Sequence, residues 1–319
     1  MGEKAERRVA CIRAQEHAAA VPEATARDSL SYEVWGGDLS REQFLSREAM
    51  LWRHPFSQRG MRVWLLRAGD EVLAGCESFV VPCTSRGVRG LAHGIASVFV
   101  EERLRGRGHA SELVRGVNAQ LADEGALCTY LMSEVAPTIY ARLGFVARPV
   151  RVRRLAALQA PIASTVDWIA VTQLDDALLP ALGDALSLQI DRDFVSWHIA
   201  RGWFHADVCG RPRQTILGPR VGNTWTICAD EPSESLLRVL ALRCDGDPQA
   251  LAQVLSATCQ LAAQQGLSSV EIWENEQNRA LPFAADLRAE DLAAIPMLCP
   301  LQPGIDARDW QSCERGHWL

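Results

Sequence analysis

The segment from Ile95 to Val114 constrains the fold of this chain more than any other stretch. It begins with an apolar, β-branched run that ends at Val100 and is typical of a central strand. The turn from Arg105 to Ala110 follows, and its two glycines would let backbone amides approach an anion closely, because no Cβ obstructs them. Apolar residues then recur every three or four positions, which predicts an amphipathic helix with its N-terminus at the turn. The segment therefore predicts a phosphate-binding strand, loop and helix.

Two widespread phosphate-binding motifs do not account for this segment. A dinucleotide fingerprint, Gly-x-Gly-x-x-Gly, would need a third glycine where Ser111 stands, and Arg105 and Arg107 crowd the turn. A Walker A loop ends in Gly-Lys-Ser or Gly-Lys-Thr, and the sequence contains neither tripeptide. The remaining motif is Arg-x-x-Gly-x-Ala, formed by Arg105, Gly108 and Ala110 between a strand and a helix.

This motif resembles the pyrophosphate loop of the GNAT superfamily of N-acetyltransferases. The resemblance implies an α/β (α+β) fold, the GNAT fold, in which helices flank a mixed central sheet, and it implies acetyl-CoA as the cosubstrate. Acetyl-CoA would then contact the end of the central strand and the loop that follows. The expected contacts are Val98, Phe99, Val100, Arg105, Gly106, Arg107, Gly108, His109 and Ala110.

The sequence after the helix resembles the same superfamily. A second apolar run, Leu127 to Met132, is followed by a short helical stretch containing Tyr140, and then by Gly144 and Phe145. The pattern Tyr-x-x-x-Gly-Phe matches the place where GNAT enzymes often carry the residue that protonates the departing CoA thiolate. The resemblance therefore implies that Tyr140 is the general acid.

Length and composition bound the class of protein. The 319 residues suggest two domains, which we place at residues 1–155 and 165–319, because the stretch between them is rich in alanine and proline. A net charge of −6 argues against nucleic acid as the main partner, and no stretch reaches the length of a membrane span. The ten cysteines form no Cys-x-x-Cys pair, so we expect no metal site, and reduced thiols in a cytoplasmic protein.

The remaining pattern predicts a second copy of the same fold. Residues 1–60 are expected to be helical, and a β-hairpin is expected about Gly69 and Asp70. Apolar patterning in the second half predicts strands at Val166–Ala170, Trp225–Cys228, Leu236–Cys244 and Ser268–Trp273, and helices at Asp176–Leu188, Asp193–Ala200 and Pro248–Gln265. No Arg/Gly loop stands between Cys244 and Pro248, so the second half is interpreted as a degenerate GNAT-like domain that cannot hold CoA.

A wider set of short motifs resembles one narrower family, the fungal lysine N6-acetyltransferases of lysine catabolism. The set comprises Trp35 with Gly37 and Leu39, Arg47-Glu48, Trp64-Leu65, Leu73 to Glu77, Gly94 to Phe99, Arg105 to Ala110, Ser133-Glu134, Tyr140, Gly144-Phe145, Trp197-His198, Trp273, Trp310, Glu314 and Trp318. The chain departs from that family at Glu134, where aspartate is usual, and at His109, where tyrosine is usual. The resemblance implies acetyl transfer to the N6 amine of lysine or of a lysine-like small molecule.

Acyl transfer to an amine requires a neutral amine and a proton donor for the leaving thiolate. Glu77 and Glu134 are the candidate bases, although the strand position of Glu77 fits an exposed face as well as the cleft. Trp35 is expected to form a wall of the acceptor pocket, and Ser97 is expected to lie beside backbone N–H groups that stabilise the oxyanion. We therefore expect direct transfer in a ternary complex.

The C-terminal tail is unusually aromatic for a surface segment, and two interpretations stay open. In the first, the tail helps to form the acceptor pocket, with Glu314 or the terminal carboxylate facing the substrate ammonium and Trp310 or Trp318 beside its aliphatic part. In the second, the tail only holds the two domains together.

Two other functions would share the acetyl-CoA loop. An enzyme for a different acceptor, such as an aminoglycoside, a natural-product amine or a protein lysine, would differ only in the acceptor pocket. A non-catalytic acyl-CoA sensor would keep the loop without the chemistry, and the presence of Tyr140 favours the enzyme.

Overall fold

The computed structural model describes residues 7–13, 28–29, 31–159, 166–179, 183, 185–274, 289–291, 294–310 and 315–318. Its frame consists of two mixed β-sheets, one of eight strands and one of seven. Helices cover the sheets, and the described part of the chain contains no helix long and apolar enough to cross a membrane. The predicted α/β fold with a mixed sheet flanked by helices is therefore confirmed.

The first sheet contains the strand that precedes the predicted phosphate loop. Its strands are β1 (Arg7–Arg13), β2 (Arg62–Ala68), β3 (Glu71–Ser85), β4 (Val88–Phe99), β5 (Cys128–Ser133), β6 (Val146–Ala147), β9 (Ser187–Leu188) and β15 (Ile295–Pro300). Their order is β1-β2-β3-β4-β5-β15-β6, with β9 paired to β3. All neighbours are antiparallel except β4 and β5, which run parallel and are connected by helix α3 (His109–Asp123).

The second sheet repeats this arrangement, as the strand and helix order predicted. Its strands are β7 (Arg151–Ala156), β8 (Asp167–Ala170), β10 (Ile216–Val221), β11 (Thr224–Glu231), β12 (Leu236–Arg243), β13 (Ser269–Trp273) and β14 (Ala289–Asp291). Their order is β14-β7-β13-β12-β11-β10-β8. Among the described strands of this sheet the single parallel pair is β12 with β13, which is again connected by a long helix, α6 (Pro248–Gln264).

Four further helices are α1 (Arg41–Trp52), α2 (Pro55–Gly60), α4 (Thr138–Ala141) and α5 (Arg192–Val208), and residues 28–29 and 31–35 are also helical. The predicted capping box of α1 is present, because the Ser40 side chain accepts from the Gln43 backbone while the Gln43 side chain accepts from the Ser40 backbone. Helix α5 joins the two halves of the molecule: Phe194 stacks on Phe56 of α2 at 4.4 Å, and Trp197 meets Phe79 of β3 at 5.9 Å.

Neither sheet is built from one contiguous stretch of chain. Strand β7 follows the first sheet's β6 but pairs with β13 of the second sheet. Strand β15 comes near the end of the chain but lies in the first sheet between β5 and β6, where Met297 and Leu298 are fully buried. Sheet membership therefore does not coincide with the predicted division into residues 1–155 and 165–319, because an apolar pattern marks a strand without marking its sheet.

Two predicted helical regions differ from the structure. The predicted helical stretch at residues 1–60 contains β1, which pairs antiparallel with β2 along its whole length and buries Ile12. The predicted helix Asp176–Leu188 is also wrong, because Asp176–Leu178 forms only a 3-10 turn and Leu188 pairs with Cys83 of β3. The alanine-rich residues 14–26 lie outside the described residues.

Strand β7 lies in the second sheet and β15 in the first, and this exchange of strands leads to a first prediction. A fragment ending at residue 158 should not unfold cooperatively alone, because the paired edge of β5 loses β15 and the burial of Met297 and Leu298, each worth about 1.5–3 kcal/mol. Co-expression with residues 159–319 should give a complex that purifies together and shows one cooperative melt by circular dichroism. The uncut chain is the control, and a cooperative melt of the first fragment alone would contradict this account.

Candidate active site

A cavity of about 1270 Å³ lies between the first sheet and the second half of the chain. Small-molecule sites commonly occupy roughly 300–1,000 Å³, so this cavity has room for two substrates side by side. It is lined by the ends of β4 and β5, the first turn of α3, parts of α1 and α5, and the C-terminal tail. Both halves of the chain therefore contribute to it.

The cavity begins where β4 and β5 separate. Their parallel ladder contains only three residue pairs and ends at Gly94 opposite Tyr130, and no further pair forms within these two fully described strands. Beyond this point β4 bends at a β-bulge in which Ser97 has a positive φ of 52°, a conformation that costs energy for a residue other than glycine. The stretch from Ser97 to Val100 lines the cavity, so backbone groups that a neighbouring strand would otherwise bind face this space.

The predicted phosphate loop opens onto the same cavity. Gly106 and Gly108 have φ values of 75° and 81°, and a Cβ at either would meet no protein atom within 4 Å. Gly108 is the N-cap of α3, so the first N–H groups of a 15-residue helix have no intrahelical partner there. His109 is 5% exposed, and its Nδ1 has no hydrogen-bond partner among the described residues. These groups fit the pyrophosphate of a CoA thioester.

The equivalent helix end in the second sheet cannot accept such an anion. The Asp247 side chain accepts a hydrogen bond from the Gln249 backbone at 2.8 Å, and Asp245 accepts from Thr224 at 3.1 Å. Pro248 stands at the first helical position. Because the chain's own carboxylates occupy this N-terminus, the second domain is degenerate as predicted.

Tyr140 lies on α4 at the cavity wall and is 8% exposed. Its ring packs edge-on against Phe145 at 5.8 Å, so the Tyr-x-x-x-Gly-Phe pattern places the two aromatic rings in contact. Burial, with a smaller effect of Cys76, raises the pKa of Tyr140 to about 12. The phenol is therefore protonated at neutral pH and can donate a proton.

Both candidate carboxylates line the cavity. Glu77 is 4% exposed and lies on β3 opposite Ala96, so the structure selects the cleft rather than the exposed face of the strand. Glu134 is exposed at the carboxyl end of β5. Trp35 contacts Phe99 at 6.0 Å between ring centres and lines the same wall as Ser97.

Two sequence-predicted residues lie away from the cavity, and a third is not described. Arg107 is exposed on the loop and does not line the cavity. Trp310 is fully buried against Tyr130 at 6.1 Å, so it joins the domains rather than facing a substrate. Glu314 lies outside the described residues. The tail nevertheless reaches the cavity through Arg315, His317 and Trp318, so its described part both packs in the core and lines the site.

Sequence reasoning missed a group of arginines that lines the cavity from the second half of the chain. They are Arg201 on α5, Arg238 on β12 and Arg315 in the tail. Arg201 follows Trp197 by four residues, so both lie on one face of α5. The four-residue spacing is visible in the sequence, but an arginine on a helix usually lies in solvent, so Arg201 alone does not indicate a binding site. Among the described residues, no group of His, Cys, Asp or Glu side chains could hold a metal ion.

Comparisons with known proteins agree with this geometry. Residues 29–147 match the family described as an acetyltransferase (GNAT) domain, and residues 183–293 match the family described as the LYC1 GNAT-like C-terminal domain. A search of curated protein sequences finds no significant match.

Solved structures share the fold at low sequence identity. A GCN5-related N-acetyltransferase from Kribbella flavida is 20% identical with a TM-score of 0.60, over 93% of this chain and 72% of that chain. Eis1 from Mycobacterium abscessus is 14% identical with a TM-score of 0.56, over 93% and 74%. A tandem GNAT protein from the clavulanic acid biosynthesis pathway is 11% identical with a TM-score of 0.52, over 94% and 100%. With GNAT domains matched in both halves, the chain belongs to the GNAT superfamily of acetyltransferases and carries two GNAT-like domains in tandem.

Proposed function

We propose that this protein is an N-acetyltransferase that transfers the acetyl group of acetyl-CoA to a primary amine of a small molecule, either lysine at N6 or a lysine-like amine. The observation that carries the proposal is that one cavity joins an anion-binding helix N-terminus, the open end of β4, a buried tyrosine and a buried glutamate. We further propose that it acts in the cytoplasm.

The first domain supplies the groups that would hold acetyl-CoA. Backbone N–H groups of the loop at Gly106 and Gly108 and of the first turn of α3 would bind the pyrophosphate. The free edge of β4, from Ser97 to Val100, would bind the extended pantetheine arm as a neighbouring strand would. When bound there, acetyl-CoA supplies a thioester carbonyl as the electrophile.

The residues of the chain would then manage two protons. An alkylammonium must lose one proton before its nitrogen can attack, and Glu77 or Glu134 would accept it, directly or through water. Tyr140 would donate a proton to the leaving sulfur, because its phenol stays protonated in its buried position, and the second proton that the nitrogen loses as the amide forms would restore the phenol. Backbone N–H groups near Ser97 would stabilise the charge that develops on the carbonyl oxygen.

The loop assignment is tested by a charged substitution. Gly108→Glu should abolish the rise in melting temperature that acetyl-CoA causes, because a carboxylate would occupy the anion site. The wild-type gain should be about 2.7 kcal/mol at a concentration 100 times the Kd, measured by thermal unfolding. Gly222→Glu is the matched control, since Gly222 also has a positive φ and open surroundings but does not line the cavity. An equal ligand-induced shift in the Gly108 variant would refute the assignment.

The role of Tyr140 is tested by the removal of one oxygen. Tyr140→Phe should lower kcat about 10- to 1,000-fold with little change in acetyl-CoA affinity, as the loss of a general acid predicts. Because the pKa of Tyr140 is about 12, ionisation of this phenol should not reduce wild-type kcat between pH 7 and pH 10. The measurement is thiol release at saturating substrates across that range. Full activity of the variant would assign the proton to another group.

A further inference from the structure

Arg201 is held firmly at the boundary between the two halves of the chain. It lies on α5, one turn after Trp197, and both side chains line the cavity. The next residue, Gly202, lets α5 lie directly on β11, since a Cβ there would stand 2.7 Å from the backbone oxygen of Asp230. The position of the Arg201 backbone is therefore set by packing against a buried strand.

The arginines around Arg201 already have carboxylate partners. The ion pairs are Arg47–Glu48 at 2.7 Å, Arg238–Glu234 at 2.6 Å and Arg315–Glu271 at 3.9 Å. Among the described residues, Arg201 makes no hydrogen bond and has no carboxylate oxygen within 4 Å. Arg201 is thus the arginine of this group that has no carboxylate partner in direct contact.

Partial withdrawal from water is unfavourable for the charge of Arg201. Desolvation lowers the pKa of the Arg201 guanidinium, and Glu231 opposes that effect. Glu231 lies 3.9 Å from Arg238 and accepts a hydrogen bond from Ser233 at 2.8 Å, so its charge is shared. The half-buried Arg201 guanidinium would gain from an anion that can accept its N–H groups, and the cavity is the space from which such an anion could come.

We propose that Arg201 binds the carboxylate of the acceptor, so that the acceptor is an amine that also carries a carboxylate. The proposal rests on the proposed function and identifies the substrate class of that same cavity. A planar guanidinium can bind a carboxylate through two parallel hydrogen bonds. Glu77 and Glu134 line the cavity as well, so it offers acidic groups for the ammonium and an unpaired cation for the carboxylate.

The test compares two acceptors that differ only in the carboxylate. L-lysine and 1,5-diaminopentane share the same amine chain, and their Kd values are measured by calorimetry and their KM values by thiol release. The wild type should prefer lysine by about 10- to 100-fold, the effect of a charged hydrogen-bonding partner. Arg201→Gln should remove this preference, and Arg201→Lys should restore part of it. Arg192→Gln is the matched control, because Arg192 is exposed at the start of the same helix.

The outcomes separate the subsite from the proposed function. Equal wild-type affinity for the two amines, or an equal loss for both in Arg201→Gln, would overturn the subsite. A loss of the acetyl-CoA thermal shift in Arg201→Gln would also overturn it, since Arg201 would then serve the donor. Arg201-dependent binding of lysine without thiol release would uphold the subsite and refute the acetyltransferase. Thiol release with either amine at equal KM would uphold the acetyltransferase and refute the subsite.

Discussion

The parallel ladder between β4 and β5 stops after three residue pairs, and the functional architecture depends on that short length. A longer ladder would have satisfied the backbone of Ser97 to Val100 and closed the sheet. Instead, the bulge at Ser97 turns the end of β4 away from β5, and α3 begins just beyond the opening. The strand edge and the helix N-terminus both line one cavity, so one interruption of the sheet provides the two features that the proposed binding of an extended ligand with an anionic end requires.

The second domain has the same parallel strand pair and connecting helix, but the N-terminus of that helix is blocked. Asp247 caps the helix that corresponds to α3, and its carboxylate takes the place that an external anion would occupy. What this domain contributes instead is side chains: Arg201 from α5 and Arg238 from β12 reach the cavity that the first domain opens. The degenerate copy is thus part of the site's wall, and the strand exchange of β7 and β15 fixes its position relative to the first sheet.

Local patterns in the sequence predicted the elements whose causes are local. The Arg105–Ala110 turn, the hairpin at Gly69 and the capping box at Ser40 each depend on neighbouring residues, and all three are present. Strand β1 was missed because its seven residues are rich in arginine, and its conformation is set by pairing with β2. The tertiary structure decided two further points that spacing could not: that Glu77 faces the cleft and that Trp310 does not.

The contrast between local and tertiary causes also explains why the acceptor side of the cavity was harder to predict from the sequence than the donor side. Binding of a pyrophosphate depends on backbone geometry, which glycine positions reveal within six residues. Binding of a carboxylate depends on a charge that lacks a partner, and that property exists only after α1, α5, β12 and the tail have come together. Arg47, Arg238 and Arg315 each have a carboxylate oxygen within 4 Å, whereas Arg201 has none that close among the described residues. Under the proposed function, the donor site is therefore encoded in one segment, and acceptor selection is encoded in the contact between two domains, where it can change without any change in the proposed acetyl-CoA loop.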